Sequence, residues 1–244
     1  MNNTITTVKL SGLQSIIDFC MDLRENNYWA FRGQRNKNWD VELHNGDKKF
    51  KSEMESFYKF KDRCKEFPKP DYLHEDDNWR WLFYAQHFGL KTHLLDWTSN
   101  PLVAVYFAVE NINSKFDDEQ KCGAIWAIKV KEDKFIRAEN IKKQPEEMKD
   151  WCLIKPPPVT NRIIRQSGMF TFHPTNAKFT KNTADREFKK IEITMTGRRN
   201  PTKRIRQELG IMNIHHASLF PEPGGVANFV NFELPDLDPK QIEK

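Results

Sequence analysis

Six polar side chains precede a run of apolar residues in the stretch QHFGLKTHLLDWTSNPLVAVYFA, at residues 86–108. They are His87, Thr92, His93, Asp96, Thr98 and Ser99. An aspartate between Leu95 and Trp97 must be paired or hydrogen-bonded if it is buried, because an isolated carboxylate in an apolar interior is very costly. We therefore predict that Asp96 is buried and paired with Arg32, unless both groups line a shared cleft and form a site.

Arg32 has a second interpretation, as an anion-binding residue. A guanidinium donates two parallel hydrogen bonds to a phosphate and stays charged. Arg32 is followed by Gly33, and a glycine lets a ligand approach the backbone closely. An internal ion pair and a phosphate site are both compatible with these residues.

Each polar candidate also has a purely structural interpretation. The structural alternatives are helix caps for Thr98, Ser99, Asn100 and His87, a surface cation for Arg162, strand-edge hydrogen bonding for Gln166 and a turn charge for Glu222. Capping needs only some of the polar groups at residues 86–99, so the remainder are candidates for a site.

Composition limits the classes of protein. The chain of 244 residues has 39 basic and 34 acidic residues, and this net charge of +5 is too diffuse to indicate nucleic acid by itself. The four cysteines form no C-x-x-C pair, so no thiolate metal site is expected, and they fit a reducing cytoplasm. We expect no secretory leader, because the first residues lack a basic region followed by an apolar stretch, and no apolar run is long enough to span a bilayer. We expect a cytoplasmic protein without a membrane partner.

The elements that must position these residues alternate between helices and strands. The pattern predicts helices at 13–24, 50–67 and 79–89, the last ended by Gly89 in the left-handed conformation. It predicts strands at 28–33, at HLLDWT and at 122–130. Asn100 and Pro101 predict the start of a helix that is buried on most faces.

The second half of the chain is less regular. Residues 131–160 are predicted to be a loop, and 162–174 a bent strand or hairpin around Gly168. A strand follows at 187–195, then a helix that Asn200 and Pro201 begin and Gly210 ends, then a Pro-Gly turn and a short terminal helix. The predicted class is α+β, with mixed or antiparallel central sheets and flanking helices.

Four motifs resemble those of the FRG domain family, named for its Phe-Arg-Gly signature. They occur in the family's order and are WAFRGQ at 29–34, QHFGLKTHLLDWTSNPLVAVYFAV at 86–109, RIIRQSGMF at 162–170 and SLFPEPGGVANF at 218–229. The resemblance implies a single domain over 1–244 with a motif-bearing core at about 28–230. The chain departs from the family at Lys91 and His93, where proline and arginine are usual, so the region around Thr92 is expected to bind or pack differently.

A weaker resemblance is to the ADP-ribosyltransferase-type fold. Arg32 and the stretch DWTSNPLVAVYFA look like two elements of that fold, in which an arginine holds the phosphates of NAD and hydroxyls support its ribose. This resemblance implies an ADP-ribosyltransferase-like fold, with NAD as substrate and no metal. Glutamate is often found in the third element of such enzymes, but this chain has Arg162 and Gln166 there, and Asp96 and Glu222 are the substitutes.

The resulting hypothesis is a nucleotide cleft between Arg32 and residues 86–99, in an NAD-dependent ADP-ribosyltransferase or a related NAD-cleaving enzyme. The candidate catalytic residues are Asp96, Gln166 and Glu222, and the candidate substrate-binding residues are Arg32, Gln34, His87, Thr92, Thr98 and Arg162. The acceptor would be a protein or a nucleic acid.

Two alternatives remain open. The first is a non-catalytic nucleotide-sensing or protein-interaction module on the same fold. The second is a nucleic-acid-binding protein, suggested by a basic cluster in GRRNPTKRIRQELG at 197–210. The cluster consists of Arg198, Arg199, Lys203, Arg204 and Arg206.

Overall fold

The computed structural model describes residues 5–24, 29–41, 50–110, 122–174, 183–194 and 201–234. Its strands are β1 Thr6–Leu10, β2 Trp29–Gln34, β3 Leu94–Thr98, β4 Ala124–Val130, β5 Phe135–Arg137, β6 Cys152–Lys155, β7 Gly168–Phe172 and β8 Arg186–Ile193. Its α-helices are α1 Leu13–Arg24, α2 Phe50–Arg63, α3 Asn78–His87, α4 Pro101–Val109, α5 Asn161–Arg165, α6 Thr202–Ile211, α7 His216–Leu219 and α8 Pro223–Asn228. A π-helix at Phe229–Glu233 follows α8.

The strands form one mixed sheet in the order β1-β8-β4-β2-β3-β7-β6-β5. The pairs β1–β8 and β5–β6 are parallel, and the other pairs are antiparallel. The predicted α+β class with a mixed sheet and flanking helices is confirmed.

The sheet is nearly divided between its two central strands. Strands β2 and β3 share a single residue pair, Phe31 with Thr98, whereas each pairs along most of its length with its other neighbour, β4 or β7. The sheet therefore consists of two halves, β1-β8-β4-β2 and β3-β7-β6-β5, which meet at one point.

The two halves curl towards each other. The ring centroids of Trp97 on β3 and Phe188 on β8 are 6.4 Å apart, although β4 and β2 lie between these strands in the sheet. Neighbouring strands are about 4.8 Å apart, so a flat sheet would separate the rings by roughly 14 Å. The inner face thus encloses its own apolar core, which contains Leu95, Trp97, Trp126, Ile128, Met169 and Phe188.

The helices pack on the outer face in two groups. Helices α1, α4 and α6 cover β2, β4 and β8, and helices α2 and α3 cover β3, β6 and β7. Helix α4 begins as predicted, because the Asn100 side chain accepts a hydrogen bond of 3.0 Å from the Leu102 N–H and Pro101 occupies the first turn. Gly89 ends α3 with a φ of 85°, also as predicted.

Several predicted boundaries are wrong. Residues 131–160 were predicted as a loop but contain β5, β6 and three short 3-10 turns. Residues 161–165 form a helix capped by the Thr160 hydroxyl, so 162–174 is a helix followed by a strand rather than a hairpin. Helix α6 runs past Gly210 to Ile211, and the left-handed residue beyond it is Asn213. Strand β1 was not predicted. The predictions for residues 28, 195 and 200 lie outside the described residues.

Within the described ranges, no helix combines the length and the apolar character that crossing a membrane requires.

Candidate functional site

A cleft on the outer face, here called the motif cleft, brings together residues from separate parts of the chain. It encloses about 100 Å³ between the end of α3, strand β3 and the α5–β7 turn. Its polar lining residues are Gln86, His87, Asp96, Arg162 and Gln166, and its apolar lining includes Phe83, Ile163 and Phe170. Four of the nine residues predicted from sequence therefore meet here.

Asp96 is exposed, so the prediction that it is buried and paired with Arg32 is wrong. The reason is the alternation of side chains along the strands. Asp96 pairs with Phe170 and faces outward, whereas Arg32 pairs with Trp126 and faces the inner core. Its apolar neighbours Leu95 and Trp97 belong to the inner face and do not cover the carboxylate.

Arg32 instead contacts the backbone of β3 where the sheet divides. Its Nη1 donates a hydrogen bond of 2.8 Å to the carbonyl oxygen of Asp96. Burial lowers the pKa of Arg32, while the charge of Asp96 acts in the opposite direction. Arg32 thus joins the two halves of the sheet at the strand that carries Asp96.

Gln86 orients the Asp96 carboxylate. Its Nε2 donates to Asp96 Oδ2 at 3.2 Å and to the Leu94 carbonyl at 3.3 Å. The buried hydroxyl of Thr92 donates to Gln86 Oε1 and accepts a bond of 3.1 Å from the Leu94 N–H. Thr92 thus fixes which end of the amide faces Asp96, and it supports the cleft from behind.

Gln86 was missed at the sequence level. It is the first residue of the quoted stretch 86–108, and its place near the end of a predicted helix was the available signal.

His87, Arg162 and Glu222 form the charged side of the motif cleft. His87 Nε2 lies 3.9 Å from Glu222 Oε1, which places Glu222 at the edge of the cleft. The Arg162 guanidinium lies 4.5 Å from the centre of the Phe220 ring. Burial is the main cause that lowers the pKa of His87, Arg162 lowers it further, and Glu222 opposes them. His87 is therefore biased towards its neutral form.

Gln166 and Thr98 hold the turn between α5 and β7. Gln166 Nε2 donates to the Leu219 carbonyl at 3.1 Å, and the Thr98 hydroxyl donates to the Gln166 carbonyl at 2.6 Å. The next residue, Ser167, has a φ of 47°, which is unusual for a residue other than glycine. Thr98 is therefore a structural tie, whereas Gln166 both lines the cleft and anchors the C-terminal segment.

Two residues predicted at a ligand have structural positions instead. Gln34 is buried on the inner side of β2, where its Oε1 accepts from Trp126 Nε1 at 2.8 Å and its Nε2 donates to the Asp40 carbonyl at 3.1 Å. Gly33 gives room to helix α4, because a Cβ at this position would lie 1.9 Å from the Ala104 carbonyl oxygen. Gly33 does not provide an approach for a ligand.

The unusual residue His93 lies outside the motif cleft. Its Nε2 is 2.5 Å from Glu53 Oε2 on α2, and both side chains are buried. His93, where the resemblance implies arginine, thus contacts helix α2 and does not line the motif cleft.

A family model matches part of the chain that forms the motif cleft. The model of the FRG domain matches residues 27–117. This match makes the first part of the chain, over little more than a third of its length, similar to the FRG domain. The matched residues contain Arg32, Gln86, His87 and Asp96, while the rest of the motif cleft comes from later residues of the chain. Comparison with the curated proteins and with the solved structures found no match.

Proposed function

We propose that the motif cleft binds the nicotinamide–ribose end of NAD and that the protein is an ADP-ribosyltransferase or a related NAD-cleaving enzyme. The observation that supports this most is the exposed Asp96 carboxylate. Gln86 orients it by a hydrogen bond, and part of the cleft around it is apolar. An oriented carboxylate in such a site stabilises positive charge that develops on a sugar.

The reaction would break the bond between C1′ of the ribose and the nicotinamide nitrogen. The bonding electrons pass to the nicotinamide ring, which loses its positive charge, and the sugar becomes cation-like. Asp96 stabilises that charge. An acceptor group or water then forms a bond to C1′ and gives up its proton.

His87 is the group best suited to take this proton. Its lowered pKa keeps it neutral near pH 7, and Glu222 lies beside its ring. Arg162 supplies a positive charge in the same cleft, suited to an anionic part of the substrate. These roles differ from the sequence hypothesis, in which Arg32 was the phosphate-binding residue.

The experiment is to incubate the purified chain with NAD and measure released nicotinamide. Asp96→Asn should reduce release on the order of 10²-fold, the usual effect of losing one electrostatic contact to a transition state. Asp150→Asn, at another exposed aspartate outside the cleft, is the matched control and should behave like the wild type.

Transfer of labelled ADP-ribose to protein or nucleic acid in the same mixture would distinguish a transferase from a glycohydrolase. No release with any acceptor, together with no NAD binding by calorimetry, would refute the proposal.

A second function is favoured by the size of the cleft. Ligand pockets usually enclose about 300–1,000 Å³, and the motif cleft encloses about 100 Å³. A module that binds a nucleotide without turnover need not exclude water from a reacting bond, so it needs less of the ligand enclosed than an enzyme does. NAD binding that Asp96→Asn leaves intact, with no nicotinamide release by either protein, would support this module.

The nucleic-acid alternative has less support. Arg204 Nε already pairs with Glu208 at 2.8 Å, one turn along α6. Two other members of the basic cluster, Arg198 and Arg199, lie outside the described residues.

A further inference from the structure

A second and larger pocket adjoins the motif cleft. It encloses about 460 Å³ and shares Ile163 and Gly168 with the cleft as lining residues. We name it the Arg24–Lys155 pocket, after the two cations that line it. Its volume lies within the usual range for a small-molecule site.

The chemistry of this pocket suits a ligand with an anionic part and a flat apolar part. Among the described residues that line it, there are two cations and no carboxylate. Both cations are exposed, so each is free to turn towards a bound anion. The apolar side comprises Trp29, Phe135, Pro156, Pro158, Ile164 and Met169, and the hydroxyls of Ser99 and Ser167 also line the pocket.

The pocket wall includes an unusual backbone conformation. Ser167 adopts the left-handed region, which costs a residue with a side chain on the order of 1 kcal/mol. The conformation is held because the Ser167 carbonyl accepts a bond of 3.0 Å from the Ser99 N–H and its own N–H donates to the Ile164 carbonyl at 3.1 Å. Such residues occur often at ligand sites, where the surrounding structure supports them.

We infer that the Arg24–Lys155 pocket binds a nucleoside diphosphate, with the phosphates at the two cations and the base against the apolar wall. This assignment rests on the proposed function, because it places the ADP part of NAD next to the cleft that receives the nicotinamide end. The two sites together provide the room that the motif cleft alone lacks.

The test is calorimetric titration of the full chain with ADP and, separately, with adenosine. Lys155→Ala and Arg24→Ala should each weaken ADP binding on the order of ten-fold, the effect of losing one charge-assisted hydrogen bond. Adenosine should bind more weakly than ADP and be indifferent to both substitutions. Lys149→Ala, at an exposed lysine outside the pocket, should bind ADP like the wild type.

Two substitutions at Ile164, which introduce opposite charges, test the same pocket. Ile164 is exposed and lines the pocket, so polar substitutions there should fold. Ile164→Glu should weaken ADP binding and Ile164→Lys should strengthen it. Absence of ADP binding to the wild type, or equal affinity in all these variants, would overturn the inference.

The outcome also separates this inference from the proposed function. ADP binding that depends on Lys155, without any nicotinamide release, would support the ADP-binding site and refute the enzymatic function. Nicotinamide release with a KM for NAD that is unchanged in Lys155→Ala and Arg24→Ala would support the enzymatic function and refute the ADP-binding site.

Discussion

Gly33→Ala is the substitution whose effect follows most directly from the structure. A Cβ at Gly33 would lie 1.9 Å from the Ala104 carbonyl oxygen and 2.7 Å from the Ala108 nitrogen, both in the backbone of α4. Neither atom can turn aside as a flexible side chain can, so β2 or the whole of α4 must move. Overpacking a core typically costs about 1–3 kcal/mol, and two backbone obstacles favour the upper end of that range.

We therefore expect Gly33→Ala to lower the free energy of unfolding by about 3 kcal/mol, which corresponds to a fall in Tm of roughly 6–12 °C in a chain of this size. Urea unfolding followed by tryptophan fluorescence and a thermal melt both measure this effect. Gly224→Ala is the matched control, because a Cβ there would meet nothing within 4 Å. Wild-type stability of Gly33→Ala, combined with lost NAD binding, would show that Gly33 makes room for a ligand and would refute our reasoning.

Three further predictions concern single side chains. Gln86→Leu removes the donor that orients Asp96. Nicotinamide release should therefore fall on the order of ten-fold while the Kd for NAD changes little. A change in Kd alone would contradict this role. Arg32→Lys loses the planar donor at the Asp96 carbonyl. The free energy of unfolding measured in urea should fall by about 1–2 kcal/mol, while NAD binding by the folded protein is unchanged. Normal stability with weakened NAD binding would instead make Arg32 a phosphate-binding residue. His173 should make folding sensitive to acid, because burial, aided by His93 and Arg186, lowers its pKa to about 3. The neutral form of His173 is favoured in the folded state, so its contribution to the free energy of unfolding is complete above the unfolded pKa of about 6.5. This contribution is lost, at about 1.4 kcal/mol per pH unit, as pH falls towards 3. Urea titrations from pH 7 to pH 4.5 should show a smaller loss for His173→Gln than for the wild type, and an equal loss in both would contradict the prediction.

The elements predictable from sequence are those whose signals are local. Helix α1 was predicted with its bounds because its apolar residues recur at helical spacing, and α4 because Asn100 caps it in the sequence as in the structure. Strands β1, β5 and β6 were missed. Strand β1 lies at one edge of the sheet and is largely exposed, so it lacks an apolar pattern, and β5 and β6 are short and separated by charged residues. Strand β1 pairs with β8 much later in the chain, and β5 pairs with β6 across two intervening 3-10 turns, so neither pairing has a local signal.

The candidate site could be predicted from the sequence only in part. Asp96, His87, Arg162 and Gln166 lie in one cleft, but Arg32 and Gln34, which were predicted to form its facing wall, do not line it. The prediction that Asp96 is buried is wrong because its apolar neighbours in the sequence lie on the opposite face of the strand. Whether a helix covers position 96 depends on how α3 packs across the sheet, which no local pattern specifies.

The way the strands pair also explains why the later motifs are needed for the site. The matched FRG residues contain only two strands described here, β2 and β3, and these share one residue pair. Their main partners, β4 and β7, both lie beyond residue 117. The same β7 is preceded by the α5 turn that carries Arg162 and Gln166, and Gln166 is bonded to the C-terminal segment next to Glu222. Completing the sheet around the FRG strands therefore brings the remaining polar groups to Asp96, so that folding and assembly of the motif cleft are one process.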